Sequence, residues 1–433
     1  MSALPPTLWH ATYASPPPRV AAVGEIEADL LVIGGGFTGL STALHAAKSG
    51  LRVVVLEAQR IASGASGRNA GFVVPNFALV DPEAVVAKLG PDQGAALNAF
   101  AAGSSDLVFD LIQRHSINCD AEQSGWIQPA HSVDALAKTQ SRARQWAALG
   151  RPVQTLDAKA VTEMTGIPGY QGGWTDPSGG VLNPVGYAFG LARVAESFGA
   201  VLHEQSPVLD LQRVGQVWQA KTAQATIHAA RVVLATNAMA GGLVPGLNRS
   251  FLPLRIFQIA TAPVPQALRR RLLPGGACVS DTRRNLFTFR FDAADRLITG
   301  GMHIFGPGAE SRVPRRIHQR LARMLDAPDL PPIAYSWSGV AAVMPDFLPH
   351  LIDLGPGLLA GIACNGRGIA MTTALGRVLS DWASGGAALQ DLPLPCAPPA
   401  PIPFHGLTRH APNLMLPISL LRDHLDDRRK TMP

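Results

Sequence analysis

The residues with the clearest chemical signature are glycines near the start of the chain. They form a G-x-G-x-x-G pattern over Gly34-Gly35-Gly36-Phe37-Thr38-Gly39. In such a pattern the first glycine permits a tight turn, the second lets the backbone approach a pyrophosphate, and the third lets a helix pack closely on a strand. The helix N-terminus then offers unpaired N–H groups and a partial positive charge to the phosphates. The pattern therefore predicts a dinucleotide site.

The acidic residue that completes this pattern is Glu57, 23 residues after Gly34. A carboxylate there accepts hydrogen bonds from ribose hydroxyls and repels a 2′-phosphate. Residues 30–33 are predicted to form a buried strand, 40–48 a helix and 51–57 the next strand, which is the βαβ unit that such a site requires. An ordinary glycine-rich turn with an exposed Glu57 is the weaker alternative. The pattern alone does not separate NAD from FAD.

A second segment of small residues, GASGRNAG, follows at residues 64–71. Small residues let a backbone loop lie against a flat ring or a second set of phosphate oxygens. From the residues alone, a loop that contacts the cofactor and a flexible loop that does not are about equally well supported.

With this segment, the chain resembles the FAD-dependent D-amino-acid-oxidase-like superfamily, which includes glycine and sarcosine oxidases. The resemblance is greatest to the γ-glutamylputrescine oxidoreductase branch, and it extends from about Trp9 to the end of the chain. The glycine pattern and the 64–71 segment are its most specific parts. Further matching segments are Gly172-Gly173-Trp174, Leu182-Asn183-Pro184, Ala235-Thr236-Asn237-Ala238, Trp337-Ser338-Gly339, Pro345-Asp346 with Pro349, and Gly361 with Asn365-Gly366-Arg367-Gly368.

The resemblance implies FAD as the cofactor and a role for each matching residue. The ADP half would be held by Gly34, Gly36, Gly39 and Glu57, with Gly35, Phe37 and Thr38 in the same binding segment. The pyrophosphate and flavin would be lined by Ser66, Gly67, Asn69 and Gly71.

The resemblance also implies cofactor contacts from later segments. Val208, in the strand after Glu204, would meet the adenine through its backbone, and Thr236 and Asn237 would close over the dinucleotide. The flavin ring would be faced by Asn365, Gly366, Arg367 and Gly368. The helix that follows would point its N-terminus at the pyrimidine side of the ring, where reduced flavin carries negative charge.

The predicted fold class is α/β: a Rossmann-like FAD-binding domain interleaved with an α+β substrate domain that has an antiparallel sheet. The chain has 433 residues, 47% of them apolar. This length exceeds that of an ordinary domain with a single hydrophobic core, so we expect two domains. Residues 286–291 and 296–299 predict a hairpin in the substrate domain. The predicted boundaries are 1–90, 184–242 and 336–386 for the FAD-binding domain, 91–183 and 243–335 for the substrate domain, and 387–433 for a C-terminal tail.

Three residues are candidates for a catalytic role. Arg290, on the first hairpin strand, suits a substrate carboxylate because its planar guanidinium pairs two oxygens, although an outward, solvated arginine is equally well supported. His303 follows the second hairpin strand and is a candidate for a position near the ring, but a histidine that supports a loop is the simpler interpretation. Arg367 lies inside the flavin loop, which favours a position near the ring over the surface.

Two departures from sarcosine oxidases concern the cofactor and the substrate. Ala370 stands where those enzymes carry a lysine that binds the substrate carboxylate. Residues 340–344, VAAVM, lack the cysteine to which their flavin is attached, and no histidine lies in residues 64–71. We therefore expect FAD to be bound non-covalently, and a substrate other than sarcosine.

The electron acceptor is either oxygen or another carrier. Sarcosine-oxidase-like members use a lysine on the strand that matches residues 296–301 to promote reaction with oxygen, but this chain has no lysine between Lys221 and Lys430. If oxygen is the acceptor, Arg290, His303 or Arg367 would have to supply the positive charge that the lysine provides in those enzymes. We favour another carrier as the electron acceptor, which would make the enzyme a dehydrogenase.

Composition argues against several other classes of protein. The net charge of +6 is spread over scattered arginines, so no nucleic-acid partner is expected. The four cysteines show no metal-ligand spacing, which predicts reduced thiols, no metal and a cytoplasmic location. We expect no secretory signal in residues 1–27 and no integral membrane span. The sequence makes no prediction of the oligomeric state.

The predicted function is FAD-dependent oxidation of a C–N bond in a small amine or amino acid. The product is an imine, which water hydrolyses to an aldehyde or keto acid. The alternatives are an NAD-linked Rossmann dehydrogenase and a non-catalytic protein that binds FAD.

Overall fold

Two large sheets organise the protein, whose computed structural model describes residues 7–285, 287–302, 306–410 and 416–423. The strands are β1 Gly24–Ile33, β2 Val53–Leu56, β3 Phe72–Val73, β4 Trp126–Pro129, β5 Gln154–Asp157, β6 Gly172–Asp176, β7 Gly180–Val181, β8 Val201–His203, β9 Asp210–Val214, β10 Val217–Lys221, β11 Ala225–Leu234, β12 Leu252–Pro263, β13 Cys278–Ser280, β14 Thr288–Phe291, β15 Arg296–Gly301, β16 Ile333–Val343, β17 His350–Asp353, β18 Leu358–Ile362 and β19 Cys396–Ala397.

Helices connect the strands and cover the sheets. The α-helices are α1 Leu8–Thr12, α2 Phe37–Lys48, α3 Pro82–Leu89, α4 Pro91–Ala102, α5 Ser104–Arg114, α6 Val133–Ala148, α7 Ala158–Thr165, α8 Pro184–Ser197, α9 Gln266–Arg271, α10 Ala309–Met324, α11 Gly368–Ala383 and α12 His405–Thr408. Single 3-10 turns occur at Ala65–Gly67, Asn237–Met239, Leu247–Arg249 and Leu389–Asp391.

The first sheet has the order β19-β17-β18-β11-β1-β2-β8, with β10 and β9 added beside β11. Its centre, from β18 to β8, is parallel. Parallel strands covered on both faces are apolar throughout, and β2 and β18 are buried at every position. Along β1, Leu30 and Val32 pack in one core with helices α2, α8 and α11, whereas Leu31 and Ile33 pack in a second core on the other face. This sheet confirms the predicted βαβ unit.

The second sheet has the order β16-β12-β15-β14-β13-β4-β6-β5. Strands β14 and β15 form the predicted antiparallel hairpin, although Leu286 lies outside the described residues. The sheet is not wholly antiparallel as predicted, because β13 and β4 run parallel. Helix α10 packs on its outer face against Phe257 and Ile259. The opposite, inner face of the second sheet is turned toward the first sheet, and the candidate active site lies between the two sheets.

The two sheets are interleaved along the chain as predicted. The first sheet takes β1 and β2, β8 to β11, and β17 to β19, whereas the second takes β4 to β6 and β12 to β16. The predicted boundary between residues 335 and 336 needs correction, because β16 continues in the second sheet as far as Val343. The tail also contributes to the first sheet, since β19 pairs with β17. The other domain boundaries stay predictions.

One helical stretch, Pro91–Arg114, is long and apolar enough to cross a membrane by length and composition. It consists of α4 and α5, which meet at Gly103. Of its most apolar window, 44% is buried inside the protein, and α5 packs against α11. This packing is typical of a core helix pair.

Candidate active site

The glycine-rich turn between β1 and α2 has no room for side chains. Gly34 has φ +117°, and a Cβ there would lie 2.8 Å from the carbonyl oxygen of Ala235. A Cβ at Gly39 would lie 2.0 Å from the carbonyl oxygen of Gly34. These distances agree with the steric reasons for glycine at both positions, a tight turn and close packing of helix on strand.

The N-terminus of α2 lies beside a serine hydroxyl. The helix begins at Phe37 after Gly36, and the Phe37 N–H donates to Ser66 Oγ at 3.0 Å. A Cβ at Gly36 would lie 2.8 Å from that same oxygen. Thr38 follows in the first turn and is buried. The fold thus brings the two small-residue segments of the sequence together at a helix end that favours anions.

Glu57 lies directly after β2 and touches the glycine turn. Its Oε2 accepts the N–H of Gly35 at 2.7 Å, and its Oε1 accepts the N–H of Gln59 at 2.9 Å. Burial raises the pKa of this carboxyl, the backbone N–H groups of Gln59, Gly35 and Ala58 oppose that shift, and the nearby Glu204 adds to it. A carboxylate has about four lone-pair sites, so these backbone bonds leave room for a ribose hydroxyl.

The 64–71 loop is held in shape by Asn69. The Asn69 Nδ2 donates to the Ser66 carbonyl at 2.7 Å, and its Oδ1 accepts the Gly71 N–H at 2.8 Å. Trp9, on α1, donates from Nε1 to the Asn69 carbonyl at 2.8 Å. Gly67 is buried within this loop, where a Cβ would lie 2.1 Å from the Ala62 carbonyl oxygen. The loop is therefore an ordered wall rather than a flexible connection.

Thr236 and Asn237, which the resemblance assigns to the dinucleotide, both follow β11 but contact different parts of the protein. Thr236 follows β11 next to the glycine turn, since its N lies 3.4 Å from where a Gly34 Cβ would be. Asn237 has φ +50°, and its Oδ1 accepts the Ala342 N–H at 2.7 Å. Asn237 therefore joins the end of β11 to β16.

Val208 does not lie in a strand, contrary to the prediction. It lies in the connection between β8 and β9. Strand β8 ends at His203, and the backbone turns at Gln205, which has φ +51°. The side chain of Val208 packs against the second core, and its contact with adenine stays a prediction.

The predicted flavin loop leads into α11, which begins at Gly368. Asn365 and Gly366 both have positive φ, +38° and +89°. The Asn365 Oδ1 accepts the Met344 N–H at 2.8 Å, whereas its buried Nδ2 has no partner among the described residues. Helix α11 thus presents its N-terminus beside an amide group that is free to bind a ligand.

Arg367 is a buried cation next to this helix end. Its side chain stacks on Trp126, with Cζ 5.2 Å from the ring centroid. Within the described part of the chain, it has no ion pair and its Nε is unpartnered. Burial, together with repulsion from Arg142, lowers the pKa of this guanidinium to about 10, so it stays charged at neutral pH.

Arg290 is a second buried cation, on the inner face of the second sheet. Only 2% of it is exposed, so the alternative of an outward, solvated arginine is wrong. Its Nη2 donates to the Leu182 carbonyl at 3.1 Å, its Cζ lies 5.0 Å from the Trp9 ring, and its Nε has no partner among the described residues. Burial lowers its pKa to about 10. A Cβ at Gly71 would lie 2.7 Å from its Nη2, so Arg290 borders the 64–71 loop.

The two arginines lie on either side of Cys278. Cys278 pairs with Trp126 across β13 and β4, and the register of β13 with β14 brings it opposite Arg290. Trp126 and Arg290 are two strands apart, roughly 10 Å. Burial raises the pKa of the Cys278 thiol to about 12, and both guanidiniums oppose that shift. His303, the third catalytic candidate, lies outside the described residues.

Two further residues with notable surroundings could not be predicted from local patterns. Trp9 belongs to a proline-rich segment without periodicity, yet it contacts both Asn69 and Arg290. Asn76 is fully buried in the segment after β3, and neither of its side-chain polar atoms has a partner within the described ranges. No motif marks either residue, and Trp9 reaches the site only through contacts distant in sequence.

The residues present fit an FAD molecule. The glycine turn exposes backbone without any Cβ atom at Gly34, Gly35 and Gly36, and a helix N-terminus suited to phosphate follows it. Farther along, buried polar atoms on Asn365, Arg367 and Arg290 lack partners among the described residues. Buried polar groups are normally hydrogen-bonded, so these atoms are suited to contact a bound cofactor or substrate.

Comparison with known proteins agrees with this geometry. A family model described as FAD dependent oxidoreductase matches residues 29–382. Gamma-glutamylputrescine oxidoreductase from Escherichia coli strain K12 is 30% identical over 364 residues, 84% of this chain and 85% of that protein. Glycine oxidase from Geobacillus kaustophilus is 26% identical, over 75% of this chain and 83% of that protein. The crystal structure of glycine oxidase from Geobacillus kaustophilus has a TM-score of 0.68 at 24% identity, covers 84% of this chain and 96% of its own, and shows a shared fold.

Proposed function

Because the chain belongs to the family of FAD-dependent oxidoreductases, we propose that it oxidises a C–N bond of a small amine or amino acid. The names of two relatives, gamma-glutamylputrescine oxidoreductase and glycine oxidase, refer to an amine and an amino acid. FAD is the cofactor of this family, which argues against an NAD-linked dehydrogenase. A non-catalytic FAD-binding protein is the alternative that experiment must separate.

The observation that carries the proposal is the position of Arg290. Its guanidinium is buried, has no ion pair within the described residues, and borders Gly71 of the loop assigned to the flavin. Leaving a charge buried without a counter-charge is costly. A substrate carboxylate is a suitable counter-ion, because the planar guanidinium pairs both of its oxygens.

Bound FAD would supply the hydride acceptor for a C–H next to nitrogen; with loss of a proton from that nitrogen the C–N bond becomes an imine, which water hydrolyses to an aldehyde or keto acid and an amine or ammonia. The residues of the chain orient the substrate. Arg290 would bind its carboxylate, with Trp9 stacked on the guanidinium to hold it in place. Arg367 and the N-terminus of α11 supply positive charge at the opposite end of the site.

We further propose that FAD is bound non-covalently and that the protein acts as a dehydrogenase in the cytoplasm. Non-covalent binding is supported by the absence of cysteine from residues 340–344. The dehydrogenase proposal rests on the lack of lysine on β15, where Arg296 forms an ion pair with Asp292 at 2.8 Å and is not a free cation. The cytoplasmic location is supported by the four cysteines, all of which are free thiols in the structure.

The test is an anaerobic screen of amines and amino acids that follows the visible absorbance of the flavin. We expect at least one compound to bleach the flavin, and Arg290→Lys to slow bleaching by compounds with a carboxylate. A holoprotein whose flavin no compound in a broad panel reduces would support the non-catalytic alternative.

A further inference from the structure

A small, partly enclosed cavity opens beside Arg290. It is lined by Trp9, Arg290, Asn183, Asp292, Asp120 and Glu122, among others. The carboxylates of Asp120 and Glu122 take no part in the site described above. They lie on the chain between α5 and β4, and both residues are exposed at the cavity.

One short segment of chain holds Arg290 and Glu122 next to each other. Glu122 exchanges both backbone hydrogen bonds with Val181, each 2.9 Å long. The next residue, Leu182, accepts Arg290 Nη2 at 3.1 Å and donates its N–H to the Gly71 carbonyl at 3.0 Å. The cavity is therefore adjacent to the loop assigned to the flavin. Asp120 is two residues before Glu122 and lines the same cavity.

The charges around the cavity are only partly paired. Asp292 forms an ion pair with Arg296, and Arg269 forms one with Asp295 at 2.9 Å. Asp120 and Glu122 form no ion pair within the described parts of the chain, and neither does Arg290. Glu122 Oε2 lies 3.1 Å from where a Cβ of Gly276 would be, which places the carboxylate against the cavity wall. The cavity thus has one buried unpaired cation and two unpaired anions.

We propose that this cavity binds a zwitterionic group of the substrate, with the carboxylate against Arg290 and an ammonium against Glu122 and Asp120. A simple ammonium would leave the buried guanidinium without a counter-charge, and a single carboxylate would bring no positive group to the two exposed acids beside it. Two carboxylates favour the charged form of the bound amine, and a protonated nitrogen has no lone pair to support oxidation. The nitrogen that reacts is therefore a different one. This inference rests on the proposed function, since it concerns the substrate of that reaction.

The test uses three ligands of nearly equal shape that cannot be oxidised, because none has hydrogen on the carbon next to nitrogen. They are 2-aminoisobutyrate, with both charges, pivalate, with the carboxylate only, and tert-butylammonium, with the ammonium only. Binding to the holoprotein is read from the change in the visible flavin spectrum. We expect 2-aminoisobutyrate to bind about ten-fold or more tightly than either of the others, since each charged contact adds at least that much.

A matched pair of variants assigns the effect to the cavity. Glu122→Gln should weaken 2-aminoisobutyrate by about ten-fold and leave pivalate unchanged, whereas Glu163→Gln, on the exposed face of α7, should change neither. FAD content and melting temperature check that each variant is folded. Equal binding of the three ligands, no binding of any, or an unchanged dissociation constant in folded Glu122→Gln would overturn the proposal. These readouts need no turnover, so they stand apart from the anaerobic screen that tests the proposed function.

Discussion

The role of Glu57 gives a prediction whose size follows from its contacts. The carboxylate accepts two backbone N–H groups, from Gly35 at 2.7 Å and Gln59 at 2.9 Å, and has lone pairs left for ribose hydroxyls. In Glu57→Ala the ribose loses a charged acceptor, which is worth about 1.5–3 kcal/mol. With ten-fold in affinity per roughly 1.4 kcal/mol, the dissociation constant of FAD should rise roughly ten- to 150-fold.

The same substitution should lower the stability of the protein without FAD, because the part-buried N–H of Gly35 is left without its acceptor. A cost of about 1–3 kcal/mol is expected. Titration of the apoprotein with FAD, followed by flavin fluorescence, measures affinity, and thermal unfolding of the apoprotein measures stability. Glu27→Ala, an exposed acid on β1, is the control. An unchanged dissociation constant for FAD, with or without a loss of stability, would refute the ribose contact.

Four further predictions follow from the site. Acid precipitation should release all the flavin into solution, because residues 340–344 offer no attachment point, and yellow colour in the pellet would contradict this. Arg290→Lys should lower kcat/KM by about ten-fold or more for substrates with a carboxylate and by less for simple amines, because lysine loses the paired geometry; an equal loss for both would indicate a structural role, and Arg114→Lys, at an exposed side chain at the end of α5, is the control. Gly39→Ala should yield protein that binds little FAD, since the new Cβ would lie 2.0 Å from the Gly34 carbonyl oxygen; normal FAD content would show that the turn can shift. The reduced enzyme should react with oxygen no faster than free reduced flavin, and rapid reoxidation with stoichiometric peroxide would make Arg290, His303 and Arg367 the next targets.

Local patterns in the sequence predicted the elements around the cofactor. The glycine turn, the βαβ unit and the β14–β15 hairpin depend on residues close together in the chain, and the structure confirms all three elements. The family resemblance and the fold class are confirmed as well. Residue roles toward FAD and substrate stay predictions, because they depend on groups that the chain alone does not contain.

Features set by distant contacts escaped prediction. The alternation of side chains along β14 indicates that the strand has two faces, but it does not indicate which face is buried. Whether the Arg290 side chain points inward or into solvent therefore depends on how the whole sheet packs. The family resemblance implies a strand at Val208, whereas β8 ends at His203 and the backbone turns at Gln205, which has φ +51°. Glu122 reaches Arg290 only through its pairing with Val181, 59 residues away. No local pattern records such a pairing.

The most direct test of the central claim is a single-turnover reaction. The holoprotein is mixed without oxygen with the amine that reduces its flavin fastest, and the reduced flavin and the organic product are both measured. C–N oxidation predicts that the flavin bleaches and that an aldehyde or keto acid appears in an amount equal to the flavin reduced. Bleaching without a carbonyl product derived from the amine would contradict the claim.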